Sequence, residues 1–292
     1  MDQAEQLRSL IKKRRQNAVD VRAGTMRVIS VTSGKGGVGK SNFVINLAIY
    51  LMRAKKRVIL IDGDFGLANV ELLLGVSPNY SFRNVLAGEV SVQDALATGP
   101  EDLKFLSGGS GLFQLSDISE SQVDVLLESF SRLEEIADIL LIDTGAGMSR
   151  TVTNLLRASS EIIIVTTSDP TAITDAYAVI KAMSEDNIEK PQLKMVVNRV
   201  ESLKEGKDVF ERLSRVSERF LNIHPVNLGY IPYDKNLIKA VKAQEPVALM
   251  FPNSESSRSM EAITKRLLDV PVEEPKGISN FISKWIRLTR DQ

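Results

Sequence analysis

Gly34-Lys-Gly-Gly-Val-Gly-Lys-Ser41 follows an apolar run, Met26–Thr32, and leads into a stretch of helical period that starts at Lys40. The stretch fits the pattern G-x-x-x-x-G-K-[ST], whose glycines let successive backbone N–H groups face phosphate oxygens at the start of a helix. Because strand, loop and helix occur in the required order, we predict a phosphate-binding loop rather than a glycine-rich turn that binds nothing.

The ligands predicted for this loop are ATP and Mg²⁺. Lys40 is expected to hold the β and γ phosphates, and the Ser41 hydroxyl to ligate Mg²⁺. The residues assigned to the nucleotide in this segment are Gly34, Lys35, Gly36, Gly37, Val38, Gly39, Lys40, Ser41 and Asn42.

The rest of the chain repeats the order of strand and helix. Short apolar runs, typical of buried parallel strands, alternate with stretches of helical period. The predicted strands are Met26–Thr32, Arg57–Ile61, Ile139–Ile142, Ile162–Thr167, Lys194–Val197 and Val226–Ile231, and the predicted helices include Lys40–Arg53, Ser121–Glu135, Thr171–Met183 and Val209–Leu221. This pattern predicts an α/β fold: a single domain, residues 25–269, with a doubly wound, mostly parallel sheet and helices on both faces.

Carboxylates follow two of the predicted strands, and ligands bind at the carboxyl ends of such strands. Asp143 ends an apolar strand in the Walker B manner, so we assign it to Mg²⁺. Asp62 and Asp64 follow Val58–Ile61. We assign Asp62 to the metal, and Asp64 to the proton of the water that attacks the γ phosphate. The alternative is that both acids cap the next turn.

Composition limits the function further. The 292 residues contain 37 Lys plus Arg and 37 Asp plus Glu, so no overall field attracts nucleic acid or an acidic membrane. No apolar run approaches the ~20 residues of a membrane-spanning helix, and no secretory n-region opens the chain, so we predict a cytoplasmic protein. The absence of cysteine excludes disulfides, thiol catalysis and cysteine-ligated iron–sulfur clusters.

Lys35 is a departure from the plain loop pattern. Together with Asp62-Gly-Asp64 and Asp143-Thr-Gly-Ala-Gly147, it makes residues 26–268 resemble the MinD/ParA family of deviant Walker A ATPases. The resemblance implies slow hydrolysis of ATP to ADP and phosphate by a homodimer. It also implies that Lys35 reaches the phosphates in the partner subunit, the alternative being a solvated surface lysine.

The same resemblance assigns residues to the base and to the dimer. It places Asn198 at adenine, although a strand-end turn residue is the alternative. It indicates that Ile231–Asp234 closes over the base, with Pro232 as the contact. Asp169–Asp175 would lie at the dimer interface, or begin a helix with Thr171 or Ser168 as its cap.

The C-terminal region begins with a Pro-rich, acidic linker, residues 270–277, and continues with a predicted amphipathic helix, residues 278–290. One apolar stripe of that helix contains Ile278, Phe281, Ile282, Trp285 and Ile286, flanked by Lys284, Arg287 and Arg290. An apolar stripe with basic flanks predicts attachment to the inner face of the cell membrane. The alternative is a helix packed on its own domain.

The N-terminal region, residues 1–24, is a charged appendage. Asp2-Gln-Ala-Glu-Gln-Leu-Arg8 resembles the tag of the FlhG (YlxH, FleN) subfamily, MinD-like regulators of flagellar number and placement. The resemblance implies that this segment stimulates FlhF, a GTPase of the signal-recognition-particle type, through Gln3, with Leu7 and Arg8 for docking. Without the resemblance, a disordered tail is the better interpretation.

These observations predict an ATPase switch that controls flagella through ATP-dependent dimerisation and membrane binding. Its predicted partners are a second copy of the chain, FlhF, the membrane surface and flagellar basal-body or switch components, with no specific nucleic acid. The alternatives are a ParA-like DNA-partitioning ATPase, a MinD-type regulator of the division site, or a ligase-type enzyme of the same superfamily. Neutral charge and the C-terminal stripe argue against DNA, and Lys35 with the two terminal segments argues against a ligase.

Overall fold

A computed structural model describes residues 26–64, 69–109, 127–184, 191–271 and 277–290. The predicted N-terminal appendage, with Gln3, Leu7 and Arg8, lies outside these ranges, as do residues 272–276 of the predicted linker. Within the ranges, no helix is long and apolar enough to cross a membrane.

The described residues form one eight-stranded sheet in the order β3-β4-β2-β5-β1-β6-β7-β8. Neighbouring strands are parallel except for β3, which pairs antiparallel with β4. The strands are β1 (Arg27–Thr32), β2 (Val58–Gly63), β3 (Ala97–Thr98), β4 (Lys104–Leu106), β5 (Ile139–Thr144), β6 (Glu161–Thr166), β7 (Gln192–Val200) and β8 (Val226–Pro232).

Helices connect the strands. They are α1 (Lys40–Arg53), α2 (Asn69–Leu74), α3 (Phe82–Leu86), α4 (Val92–Ala95), α5 (Leu133–Ile136), α6 (Arg150–Ala158), α7 (Pro170–Ser184), α8 (Leu203–Leu221), α9 (Lys235–Lys242), α10 (Val247–Met250), α11 (Glu255–Asp269) and α12 (Gly277–Arg290).

The sheet is covered on both faces, as the apolar runs predict. Successive residues of a strand point to opposite faces, so Ile29 and Val31 of β1 pack with α1, α9, α10 and α11, whereas Val28 packs with α3, α6 and α12. A third cluster joins β6 and β7 to α7 and α8. The predicted doubly wound α/β fold is therefore confirmed.

Two parts of the fold differ from the prediction. The region between β2 and β5 contains β3 and β4, which are too short to show a strand period, and short helices. Helix α8 begins at Leu203 rather than Val209, because the Ser202 side chain accepts the Glu205 N–H and starts the helix before its apolar period becomes visible. Of the predicted helix Ser121–Glu135, the described part is interrupted at Arg132.

The C-terminal helix α12 packs on the domain, which is the alternative to a free membrane-binding helix. The side chains of Ile278, Phe281, Ile282 and Trp285 are 0–3% exposed, and Ile286 is partly buried in the same cluster. Polar groups hold both ends: Glu134 Oε1 accepts the Ile278 N–H at 2.6 Å, and Asn154 Nδ2 donates to Leu288 O at 3.1 Å. In this conformation the apolar stripe faces protein rather than solvent.

Candidate functional site

A cavity of about 760 Å³ opens at the carboxyl ends of the strands. The sequence-predicted site residues that line it are Gly36, Gly37, Gly39, Lys40, Ser41, Asn42, Asp64, Asn198 and Pro232. Of the other residues predicted for nucleotide or metal, Gly34, Lys35 and Val38 belong to the loop, and Asp62 and Asp143 lie at the ends of β2 and β5; none of the five lines the cavity. Loop, carboxylates and amide thus converge at one edge of the sheet.

Two glycines of the loop are required for different reasons. Gly39 has φ 94°, a left-handed conformation that few residues other than glycine adopt, and it turns the chain into α1. Gly34 lies against α7, because a Cβ there would be 2.3 Å from the backbone carbon of Asp175. Gly34 therefore allows the loop to pass the first turns of a neighbouring helix.

Lys40 and Asp143 form a buried ion pair beneath the loop. The Lys40 Nζ lies 2.5 Å from Asp143 Oδ1 and 3.4 Å from Ser41 Oγ. Burial raises the pKa of the Asp143 carboxyl, although the nearby Lys40 charge opposes that rise. In the nucleotide-bound state we expect Lys40 to exchange this carboxylate for phosphate oxygens.

The donor set beside the loop fits Mg²⁺. Asp143 Oδ2 is buried and has no hydrogen-bond partner, and Ser41 Oγ lies beside the same lysine. Mg²⁺ is commonly held by one or two carboxylates together with substrate phosphates. Among the described residues, no group of three or more His, Cys, Asp or Glu is placed to hold a metal.

Asp62 behaves in this structure as the turn-capping alternative predicts. Its carboxylate is fully buried and accepts the N–H groups of Asp64 at 3.1 Å and Val70 at 3.3 Å. Burial, followed by the charge of Asp143, raises the pKa of Asp62 to about 7. Each carboxylate oxygen of Asp62 thus accepts one backbone N–H group and retains a lone pair that could contact Mg²⁺.

Asp64 and the loop after β5 flank the opening of the cavity. Asp64 lines the cavity and accepts one long side-chain hydrogen bond, from Asn69 Nδ2 at 3.3 Å. Gly147 N–H donates to Ser33 O at 2.9 Å, and Thr144 Oγ1 donates to Val31 O at 3.0 Å. The loop after β5 is thus tied to the end of β1.

Lys35 points away from its own cavity, as the departure from the plain pattern predicts. Its Nζ is 2.9 Å from Asp169 Oδ2 and 2.7 Å from Thr171 Oγ1, and its side chain is 43% exposed. The hydrogen bond from Lys35 lowers the pKa of Asp169. Asp169 also caps α7, because its Oδ1 accepts the Thr171 N–H; the predicted caps, Thr171 and Ser168, were wrong.

The cavity also has an apolar wall, of which the sequence analysis predicted only Tyr233, within Ile231–Asp234. This wall consists of Leu72, Leu73, Tyr233, Leu237, Ile238 and Val241. The spacing of Leu237, Ile238 and Val241 at i, i+1 and i+4 is a helical signal that indicates α9. Pro232 and Tyr233 lie where β8 turns into α9, and Asp234 starts the helix by accepting the Asn236 N–H.

The chain is similar to known proteins over nearly its whole length. A ParA family model, described as an NUBPL iron-transfer P-loop NTPase, matches residues 24–268. The antiactivator FleN of Pseudomonas aeruginosa is 37% identical over 257 residues, 88% of this chain and 91% of FleN. The flagellum site-determining protein YlxH of Helicobacter pylori is 33% identical over 298 residues, 98% of each chain.

Solved structures agree with the fold. The MinC:MinD cell division complex of Aquifex aeolicus matches with a TM-score of 0.64 and 26% identity, over 85% of this chain and 98% of that one. The septum site-determining protein MinD of Pyrococcus horikoshii, complexed with Mg-ADP, matches with a TM-score of 0.66 and 24% identity, over 84% and 96%.

Proposed function

This chain belongs to the ParA/MinD family of P-loop ATPases, and we propose that it is an FlhG-like switch that controls the number and placement of bacterial flagella. The match over residues 24–268 confirms the predicted family and ATPase activity, with ATP and Mg²⁺ as ligands. Iron transfer does not extend to this chain, which has no cysteine. The flagellar assignment rests chiefly on the 98% mutual coverage with YlxH, supported by the higher identity to FleN.

In the proposed cycle, ATP closes two copies face to face over their cavities. The observation that supports this is the direction of Lys35, which leaves its own loop and is held by a solvent-exposed pair with Asp169. An exposed pair of this kind contributes only about 0–1 kcal/mol, so a phosphate in the partner can replace Asp169.

Sedimentation with a nonhydrolysable ATP analogue tests the dimer. The wild type should sediment as a dimer, and Lys35→Ala as a monomer that still binds nucleotide. Lys265→Ala is the matched control, because Lys265 is an exposed lysine paired with Glu261 on α11, away from the loop. A wild type that remains monomeric under all nucleotide conditions would remove the basis of the proposal.

Membrane attachment is proposed to follow from release of α12. The apolar stripe of α12 packs in one hydrophobic cluster with residues of α6, on the same face of the sheet. Helix α6 directly follows the loop after β5. A shift of that loop on nucleotide binding would move Asn154, which donates to the last turn of α12. Two released helices in a dimer would bind a membrane more tightly than one, through avidity.

Vesicle pelleting tests this step. With the ATP analogue the protein should pellet with anionic vesicles, and Phe281→Glu should prevent it, whereas Ser283→Glu on the exposed face of the same helix should not. Trp285 is the chain's one tryptophan and is 3% exposed, so its fluorescence reports release without lipid. Pelleting with DNA but not vesicles, with residues 277–292 dispensable, would favour the ParA-like alternative.

The N-terminal appendage is proposed to stimulate FlhF. Deleting residues 2–8 should abolish stimulation of the FlhF GTPase and leave the ATPase activity of this chain intact. Gln3→Ala should reproduce the deletion, and Gln6→Ala, the same substitution three residues later, should have little effect. Undiminished stimulation by the deleted chain would contradict this part of the proposal alone.

A further inference from the structure

The end of β7 contains an irregularity that fixes the orientation of one amide. The pairing register of β7 and β8 shifts between Asn198 and Val200, and Arg199 between them has φ 59°. Bulges of this kind re-aim side chains beside functional sites. Here the Arg199 N–H donates to Asn198 Oδ1 at 2.9 Å, which leaves the Asn198 amide nitrogen pointing the other way.

That amide nitrogen holds the phosphate-binding loop. Asn198 Nδ2 donates to Val38 O at 2.8 Å in a buried hydrogen bond, and the Asn198 side chain is 2% exposed. The contact is close, since a Cβ on Gly39 would lie 2.4 Å from Asn198 Nδ2. Gly39, already constrained by its left-handed φ, thus also has no space for a side chain on this side.

The bond determines the direction of a loop N–H. In a trans peptide the C=O and N–H groups point in opposite directions, so anchoring Val38 O directs the Gly39 N–H away from Asn198. Loops of this type bind phosphate through such N–H groups, and the dipole of the following helix adds to the attraction. The orientation of the Val38–Gly39 peptide is therefore set in part by a side chain from a different strand.

We propose that Asn198 is a positioning residue for the phosphate-binding loop, acting through Val38 O on every ligand that carries a triphosphate, whatever its base. The second Nδ2 hydrogen is still available for the adenine contact proposed from the family resemblance. The two roles differ in what they recognise: the loop role concerns phosphates, and the base role distinguishes ATP from GTP.

Calorimetry with Asn198→Ala separates these roles. The substitution adds no charge near the phosphates, so a loss of affinity cannot arise from repulsion. We expect Mg²⁺-GTP and Mg²⁺-tripolyphosphate each to bind about fivefold more weakly, the loss that corresponds to one hydrogen bond of about 1 kcal/mol. Any additional loss confined to ATP measures the base contact.

Ser257→Ala is the matched control, because Ser257 is also buried and donates to a backbone carbonyl, Val247 O, but lies on α11 and does not line the cavity. It should leave GTP and tripolyphosphate affinity unchanged even where it lowers the melting temperature as much. Unchanged GTP and tripolyphosphate affinity in Asn198→Ala would overturn the proposal, and so would an equal loss in Ser257→Ala. Family membership and the flagellar role would stand in either case.

Discussion

Two clusters of buried charge lie at opposite ends of the strands and differ in their ratio of cations to carboxylates. The amino-edge cluster consists of Arg27, Glu161 and Lys194 at the starts of β1, β6 and β7. Arg27 binds Glu161 through two hydrogen bonds of 2.8 and 2.7 Å, and Lys194 donates to the same carboxylate. Burial would raise the pKa of Glu161, but the two cations lower it below its ordinary value.

The carboxyl-edge cluster consists of Lys40, Asp62 and Asp143, so one cation faces two carboxylates. Asp143 Oδ2 has no partner, and Asp62 has a raised pKa. In the amino-edge cluster two cations surround one carboxylate, whereas in the carboxyl-edge cluster one cation serves two carboxylates, a ratio that favours binding of a further cation such as Mg²⁺. We therefore expect the amino-edge cluster to stabilise the fold and the carboxyl-edge cluster to bind a ligand.

The largest effect on the free energy of unfolding should come from breaking the amino-edge cluster. Glu161→Gln leaves Arg27 and Lys194 as buried cations without a counter-charge, and losing one partner of a buried ion pair costs about 3–5 kcal/mol. Urea unfolding of the nucleotide-free protein measures this loss. Adding Lys194→Met should recover part of it, since an apolar side chain replaces an unpaired charge. A loss below about 1 kcal/mol would show that the cluster does not stabilise the fold.

A substitution at the carboxyl edge should instead change the rate of ATP hydrolysis. Asp64→Ala removes the proposed proton acceptor from the cavity and should lower ATP hydrolysis on the order of 10²–10⁴-fold, with the ATP-bound dimer trapped. Steady-state phosphate release and sedimentation measure the two outcomes. The exposed Asp208→Ala serves as control. A monomeric Asp64→Ala, or one with normal turnover, would remove the assignment.

The sequence predicts most of this site because the loop and the strand ends are local patterns. The residues from Gly34 to Ser41 and Asp143 can each be identified from their own neighbours in the chain. What the sequence does not reveal is which groups bind one another across the sheet. Asn198 illustrates the limit, since its contact with Val38 depends on a bulge and on 160 residues of separation. The same holds for α12, whose stripe fits a membrane and its own domain equally well.

A smaller, pH-dependent effect is expected from Asp62. Its pKa of about 7 in the fold lies above the ordinary value of 3.8, so the native state binds more protons than the unfolded state between these values. This contribution to stability is complete below pH ~3.8 and is lost as the pH rises through ~7.

Asp62→Asn cannot ionise, and its single side-chain oxygen keeps only one of the two backbone bonds, since Oδ1 of Asp62 accepts the Asp64 N–H and Oδ2 accepts the Val70 N–H. The lost bond is a cost that does not depend on pH, so without nucleotide and Mg²⁺ the stability of the variant relative to wild type should rise by on the order of 1–3 kcal/mol between pH 5.5 and pH 8. Thermal unfolding across this range measures it, with Asp208→Asn as control. A difference independent of pH would contradict the raised pKa.

The smallest effect is expected at the exposed pair of Lys35 and Asp169, which tests whether charge on the surface matters to stability at all. Asp169→Asn keeps an oxygen to accept the Thr171 N–H and cap α7, but removes the charge facing Lys35. Exposed pairs contribute about 0–1 kcal/mol, so unfolding should shift by less than 1 kcal/mol, as for Glu128→Gln at the exposed pair with Arg132. A loss above about 2 kcal/mol would contradict this and show that the pair stabilises the fold, as we expect of the amino-edge cluster. A small loss would mean that separating Lys35 from Asp169 requires little free energy. A lysine that must reach a second subunit has to separate from its own pair in this way.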